Sequence, residues 1–128
     1  QRILEMCVEY AKIRAQSGRP IGAFQAIQHH CADPLRNVEG SRYLLYNAAW
    51  RMQAGLDCTA DVAMAKAHSS DACLWVARKG HQILGAISYC EEHPLHLFHK
   101  RIQAAGLDFG GTGEHLETVA QAIGLGSL

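Results

Sequence analysis

Several features that would assign this sequence to a class of protein at once are missing. The 128 residues carry 12 basic and 12 acidic side chains, so the formal net charge is zero. No overall field therefore attracts nucleic acid or an anionic membrane. No apolar run approaches the length of a membrane span, and the first residues do not form the pattern of a signal peptide. We accordingly expect neither nucleic acid as a partner nor a membrane-spanning segment.

Paired cysteine motifs are also missing. The five cysteines are odd in number, scattered along the chain and never spaced as C-x-x-C; they are Cys7, Cys31, Cys58, Cys73 and Cys90. This usage is typical of reduced thiols and not of a disulfide framework. We therefore expect a cytoplasmic protein.

Sustained alternation of polar and apolar residues is absent, and the apolar residues recur at helical spacing instead. With 48% apolar residues, the chain can form one domain with a real core. Five helices are predicted: one from the start to the turn at 17–20, one over 24–55 kinked at Pro34, one from a cap at Asp57 or Thr59 to Gly85, one from Pro94 to Gly106, and one capped by Thr112. Short connections favour antiparallel neighbours. The predicted fold is all-α, an up-and-down four-helix-type bundle with a short extra C-terminal helix.

The beginning of the chain suggests how this domain is organised in its parent protein. Residues 1–4 run directly into the first helical pattern without a capping residue. We therefore expect residues 1–128 to be one domain of a longer subunit.

The glycine-rich segment GLDFGGTGEH, residues 106–115, resembles a phosphate-binding loop only superficially. No strand precedes it, and no lysine follows the last glycine. From the residues alone, the segment is interpreted as a turn between two helices, in which glycines supply positive φ and Thr112 caps the next helix.

A cluster of histidines raises the question of a metal site. His96 and His99 lie one turn apart on the fourth predicted helix, with His93 and Glu92 just before it. A fully formed helix would not point all three histidines at one ion. We therefore expect solvated side chains and no metal.

Arg14 and Arg19 flank a Gly-Pro turn and form a positive corner between two helices. Their guanidinium groups could hold a phosphate or a pyrophosphate. The alternative is surface charge at a helix C-terminus, which the helix dipole favours.

A resemblance to a known family decides between these alternatives. Arg14, residues 18–22 (GRPIG) and residues 24–28 (FQAIQ) resemble the C-terminal domain of FAD-dependent acyl-CoA dehydrogenases. The resemblance continues through residues 48–50, 63–66, 82–85 and 92–96, and so covers nearly the whole chain.

The resemblance implies a subunit with an N-terminal helical domain, a small β domain and a C-terminal bundle that builds the oligomer core. It implies that Arg14 reaches the FAD pyrophosphate and Gln25 the adenine end. It also implies that Gln82 and Gly85 contact FAD bound mainly to a neighbouring subunit, and Thr112 is expected in the cofactor-binding set. The implied partners are acyl-CoA dehydrogenase-type subunits in a homo- or hetero-oligomer, an acyl-CoA substrate and an electron-transferring flavoprotein.

The family's reaction is α,β-dehydrogenation of an acyl-CoA, in which a carboxylate takes the α proton while hydride passes to flavin. In many members the base is a glutamate before a Gly-Thr pair in the loop preceding the last helix. Here that position falls at Gly110, or at Phe109 when counted without gaps from Pro94. Neither residue is an acid. The carboxylates of Asp108 and Glu114 are nearby but displaced in sequence.

Three other positions depart from the family pattern: Ser17 stands where Phe is usual, Ala86 replaces a second glycine, and Glu114 replaces a glutamine that often contacts FAD. Three functions stay open. The first is that the parent is an active dehydrogenase whose base lies elsewhere, as in members that carry it on an earlier helix, which here would be upstream of Gln1. The second is a non-catalytic scaffold subunit whose bundle completes a partner's FAD site, and the third is a free-standing helical interaction module. In each case, the 128-residue chain alone is expected to be inactive.

Overall fold

The computed structural model describes residues 1–126 and contains five α-helices, which confirms the predicted all-α fold. The helices α1 to α5 are Arg2–Ile13, Gln25–Gln53, Thr59–Leu84, Leu95–Leu107 and Thr112–Ala122. Helix α2 runs through Pro34 as one element. None of the helices within residues 1–126 is long and apolar enough to cross a membrane.

Helix α3 is the centre of the bundle and contacts each of the other four helices. The main core cluster lies where α3 meets α1 and α4, and its members are Ile3, Met6, Cys7, Val76, Ala77, Ile83, Leu84 and Leu95. A Cβ atom added at Gly80 would lie 2.7 Å from Ile3 Cγ2 and 3.4 Å from Leu95 Cδ2. The absence of a side chain at Gly80 therefore allows α1 and α4 to approach α3 closely.

A short hairpin that the helical pattern did not predict follows α1. Its strands, β1 (Ala15–Gln16) and β2 (Arg19–Pro20), pair antiparallel with Gln16 opposite Arg19. Ser17 and Gly18 connect them with φ values of 53° and 77°. Two successive positive φ angles are typical of the tight turn that matches the twist of a two-residue hairpin. The first helix therefore ends at Ile13, before the predicted turn.

The start of α3 is held by the side chain of Asp57. Its Oδ1 accepts hydrogen bonds from the Thr59 amide at 3.0 Å and the Thr59 hydroxyl at 2.9 Å. These two bonds hold the pKa of the Asp57 carboxyl below its ordinary value. Cys58 occupies the N-cap position itself, so Asp57 acts from one residue further out.

The turn between α4 and α5 differs from the prediction in its cap. Gly111 is the N-cap, whereas Thr112 is the first helical residue and its hydroxyl donates to Asp71 Oδ1 at 2.9 Å. The prediction that Thr112 caps α5 is therefore wrong, because its side chain bonds to α3 instead of the α5 backbone. Positive φ occurs at Phe109 (61°) and Gly110 (97°).

Candidate functional site

A cleft of about 720 Å³ lies between the C-terminal end of α1, the hairpin and the C-terminal end of α3. It is lined by Tyr10, Arg14, Gln16, Ser17, Ile21, Phe24, Ile27, Gln82, Ile83, Leu84, Gly85, Ala86 and Ile87. Three of the predicted cofactor-binding residues, Arg14, Gln82 and Gly85, therefore lie around one cavity.

The backbone of Arg14 is fixed on both sides. Its amide donates to the Tyr10 carbonyl at 2.8 Å, and its carbonyl accepts from the Ile21 amide at 2.8 Å. No carboxylate within residues 1–126 comes within 4.0 Å of its guanidinium group. Because the cleft lining also contains no acidic residue, its electrostatic character is positive.

Arg19 lies on the neighbouring strand of the hairpin and contacts the cleft wall from outside. Its guanidinium carbon is 4.1 Å from the centre of the Phe24 ring, a cation–π contact. Phe24 itself lines the cleft. The two arginines that the sequence placed at one corner therefore have different surroundings.

Gly85 ends α3 and forms the opposite wall. Its φ of 67° and ψ of −145° are accessible essentially only to glycine. An added Cβ atom at this position would meet nothing within 4 Å. Backbone conformation and not crowding therefore requires glycine here, and the open space leaves the backbone accessible to a ligand.

The remaining two predicted cofactor-binding residues lie elsewhere. Gln25 is exposed at the first residue of α2 and does not line the cleft, although Phe24 beside it does. Thr112 lines a second cleft of about 660 Å³ formed by α2, α3 and α5. The structure therefore brings three of the five residues together and separates the other two from that group.

The loop at residues 108–111 holds no carboxylate at either candidate position for the base. Phe109 is 94% exposed. A Cβ atom added at Gly110 would lie 2.7 Å from Glu114 Oε2, so the Glu114 carboxylate covers this glycine. His115 Nε2 donates to the Phe109 carbonyl at 3.0 Å and holds the loop against α5.

The histidines near α4 bond to protein groups. His96 Nδ1 lies 2.8 Å from the His93 carbonyl, and His99 Nδ1 lies 2.8 Å from Nε2 of His81. The expectation of a solvated side chain is therefore wrong for His99. In the part of the chain that the structure describes, no group of three or more His, Cys, Asp or Glu side chains could hold a metal ion.

Sequence reasoning did not identify the buried pair of His81 and Ser88 beside the cleft. Ser88 is fully buried, and its hydroxyl donates to the Gly85 carbonyl at 2.6 Å. A serine three residues after a helix-ending glycine is placed for such a local bond. No sequence signal marks His81, because its burial (7% exposed) and its contact with His99 depend on the packing of α3 against α4.

Comparisons with known proteins identify the family of this domain. The sequence profile of the family described as "Acyl-CoA dehydrogenase, C-terminal domain" matches residues 1–124. The chain therefore belongs to this family, whose members are flavoprotein dehydrogenases.

Individual relatives show how much of such a protein the chain represents. It is 41% identical over 92 residues to an acyl-CoA dehydrogenase of Bacillus subtilis, covering 72% of this chain and 24% of that protein. It is 33% identical over 130 residues to the L-prolyl-[peptidyl-carrier protein] dehydrogenase of Serratia sp., covering 97% and 32%. The solved FAD complex of PigA superimposes with a TM-score of 0.94 at 30% identity, covering 98% and 33%. The chain thus spans a quarter to a third of these proteins.

Proposed function

We propose that this chain is the C-terminal domain of a longer, FAD-dependent acyl-CoA dehydrogenase-like subunit, and that it completes an FAD site across a subunit interface. The observation that carries the proposal is the single cleft bounded by Arg14, Gln82 and Gly85. When bound, FAD would supply the hydride acceptor for dehydrogenation of a thioester. The chain's own residues would bind and orient it.

The chemistry of the cleft fits the diphosphate of such a cofactor. Arg14 offers a guanidinium group with no protein carboxylate beside it in residues 1–126, and arginine binds phosphates through paired hydrogen bonds. Gln82 adds an amide, and the open backbone at Gly85 permits close approach. Gln25 and Thr112 would act from outside this cleft, on other parts of the cofactor.

Substitution of Arg14 tests this assignment. In the complete subunit, Arg14→Ala is expected to raise the Kd for FAD about tenfold or more, because one charged hydrogen-bond donor to the diphosphate is lost. Arg101→Ala is the matched control, since Arg101 is exposed on α4 and outside the cleft. Fluorescence titration of the apoprotein with FAD measures both. Equal affinities for the two variants would contradict the assignment.

We also propose that the loop at residues 108–111 has lost the base that many family members carry there. Neither Gly110 nor Phe109 can accept a proton, and Asp108 and Glu114 are displaced along the chain. The working base then lies upstream of Gln1, or the subunit is a non-catalytic scaffold. A misplacement of about 1 Å can already cost about a hundredfold in rate, which argues against a displaced carboxylate as the base.

The rate of turnover with an artificial electron acceptor tests the proposal that this loop has lost its base. Both an acyl-CoA and a prolyl-carrier protein are suitable substrates, because relatives are named for each kind of substrate. Asp108→Asn and Glu114→Gln are expected to leave the rate of the complete subunit unchanged. Glu114 is the more informative position, since its carboxylate lies over Gly110. A loss of several orders of magnitude with FAD content intact would show that a shifted carboxylate is the base.

If the complete subunit has no activity, the scaffold alternative is supported. Placing a carboxylate at position 110 then tests whether the missing base is the cause. Gly110→Glu alone meets a φ of 97° and the Glu114 carboxylate 2.7 Å from its Cβ atom. The double variant Gly110→Glu/Glu114→Gln replaces that carboxylate with the amide usual in the family. Some dehydrogenation is expected to return, while Gly110→Gln/Glu114→Gln, which has no carboxylate at either position, stays inactive.

The 128-residue chain alone is expected to bind no FAD tightly and to oxidise no thioester, because it represents a quarter to a third of its relatives. A stable, stoichiometric yellow complex after purification with excess FAD would contradict this expectation.

The same proposal includes homo- or hetero-oligomeric assembly, an electron-transferring flavoprotein as partner and a cytoplasmic location. Five free thiols support the cytoplasmic location.

A further inference from the structure

A chain of hydrogen bonds connects helix α4 with the turn at residues 85–89, a short 3₁₀ helix that follows α3. The Ser88 hydroxyl lies 2.6 Å from the Gly85 carbonyl and 2.8 Å from His81 Nδ1. On the other side of the ring, His81 Nε2 lies 2.8 Å from His99 Nδ1. The His81 ring also stacks on Tyr89, with 4.5 Å between ring centres. The His81 imidazole therefore joins α3, the turn at residues 85–89 and α4.

The geometry determines where the protons lie. A carbonyl only accepts, so the single hydroxyl proton of Ser88 is donated to Gly85. Ser88 must then accept from Nδ1–H of His81, which leaves Nε2 of a neutral His81 as the acceptor for His99 Nδ1–H. Each ring nitrogen of His81 thus has one defined partner and one defined role.

The surroundings of His81 favour the neutral ring. Burial lowers the pKa of His81, and the neighbouring His99 and His93 lower it further. The groups that face the ring are the Ser88 hydroxyl, the Tyr89 ring and these two histidines, and none of them is a carboxylate. The acceptor role of Nε2 toward His99 is therefore maintained at neutral pH, while Nδ1–H remains the donor to Ser88.

We propose that Ser88 and His81 are positioning residues that hold the Gly85 carbonyl and, through it, the wall of the FAD cleft. This inference rests on the proposed function. Ala86 and Ile87 lie between Gly85 and Ser88 and line the cleft themselves. Because glycine has the widest choice of backbone conformations, Gly85 depends on such a bond to keep one of them.

Two substitutions of His81 separate positioning from space filling. His81→Asn loses the ring but keeps a donor close to the position of Nδ1, whereas His81→Phe keeps a ring that can stack on Tyr89 but has no donor. In the complete subunit, Ser88→Ala and His81→Phe are expected to raise the Kd for FAD roughly tenfold, and His81→Asn by about twofold or less. A role in packing alone predicts the reverse order for the two His81 variants and would overturn the proposal.

Two further measurements keep the test decisive. Amide exchange at residues 85–89 is expected to become faster in Ser88→Ala and His81→Phe but not in His81→Asn, which reports the turn without reference to FAD. Arg14→Ala distinguishes a failure of the positioning role from a failure of the cleft assignment. If Arg14→Ala weakens FAD binding while Ser88→Ala does not, the positioning role is wrong and the cleft assignment stands. If Arg14→Ala has no effect, the cleft assignment is wrong and the positioning role in FAD binding falls with it.

Discussion

Burial divides the cysteines of this chain into protected and reactive thiols. Cys7 is 2% exposed in the core, and burial raises its pKa to about 12. Burial also raises the pKa of Cys31, whereas Cys73 and Cys90 are exposed. Since the thiolate is the nucleophile, a thiol reagent at pH 8 is expected to modify Cys73 and Cys90 in the folded protein and Cys7 only after unfolding. Mass spectrometry of the labelled peptides measures this order, and equal labelling of Cys7 and Cys90 would contradict it.

Two glycines near helix ends are expected to respond oppositely to alanine. Gly85 has φ 67° and ψ −145°, so Gly85→Ala should lower the free energy of unfolding by about 1–3 kcal/mol. Gly106 lies inside α4 with open space at its Cβ position, so Gly106→Ala should raise it by roughly 0.5 kcal/mol. Urea unfolding of the 128-residue chain measures both changes. The backbone argument fails if the two variants shift stability in the same direction.

At the scale of the elements, Lys66 of α3 holds the end of α4. Its ammonium group donates to the carbonyls of Ala105 at 2.8 Å and Gly106 at 3.3 Å, and to the Ser70 hydroxyl at 3.1 Å. The last carbonyls of a helix have no helical donor, and a cation there also interacts favourably with the helix dipole. Through this contact, α3 determines where the loop at residues 108–111 begins.

Removing this contact gives a prediction for α4. Lys66→Met is expected to lower the free energy of unfolding by about 1 kcal/mol, since the bonds are charged but partly solvated. Hydrogen exchange should become faster at residues 104–107. Lys100→Met is the control, because Lys100 is exposed on α4. Unchanged exchange at the end of α4 would show that Lys66 does not anchor it.

At the scale of the whole molecule, the surface is larger than that of a typical free monomer. The accessible area is 8378 Å² for 14.0 kDa, against about 6,700 Å² for a typical monomer of that mass. The outer face of α2 exposes several large apolar side chains, namely Tyr43, Leu45, Tyr46, Trp50 and Met52. Such a surface is typical of a domain that packs against other subunits or domains.

We therefore predict that the chain self-associates. Sedimentation velocity at high micromolar concentration should show dimers or larger species, and Trp50→Glu should weaken them by placing a charge in the apolar α2 face. Lys100→Glu, outside that face, serves as the control. A strictly monomeric protein would contradict the prediction.

Local patterns in the sequence were sufficient for most of the helices. Apolar residues recur every three or four positions, and glycine or proline marks where a helix cannot continue, so the predicted end of the third helix at Gly85 differs from the structure by one residue. Both signals are local, because they depend on neighbouring residues and on the φ angles that glycine and proline allow. The family resemblance also identified Arg14, Gln82 and Gly85 as candidate cofactor-binding residues.

Tertiary packing decided what these residues surround. Arg14 and Gln82 share a cleft only because α1 docks on the end of α3, and the helical pattern did not predict the hairpin that completes its wall. Thr112 has the residue type of a helix cap, yet its hydroxyl donates a hydrogen bond to Asp71 on α3. His81 has defined proton roles only because Ser88 and His99 reach its two ring nitrogens from separate elements. Partners distant in sequence depend on the relative positions of packed helices, and no local periodicity specifies those positions.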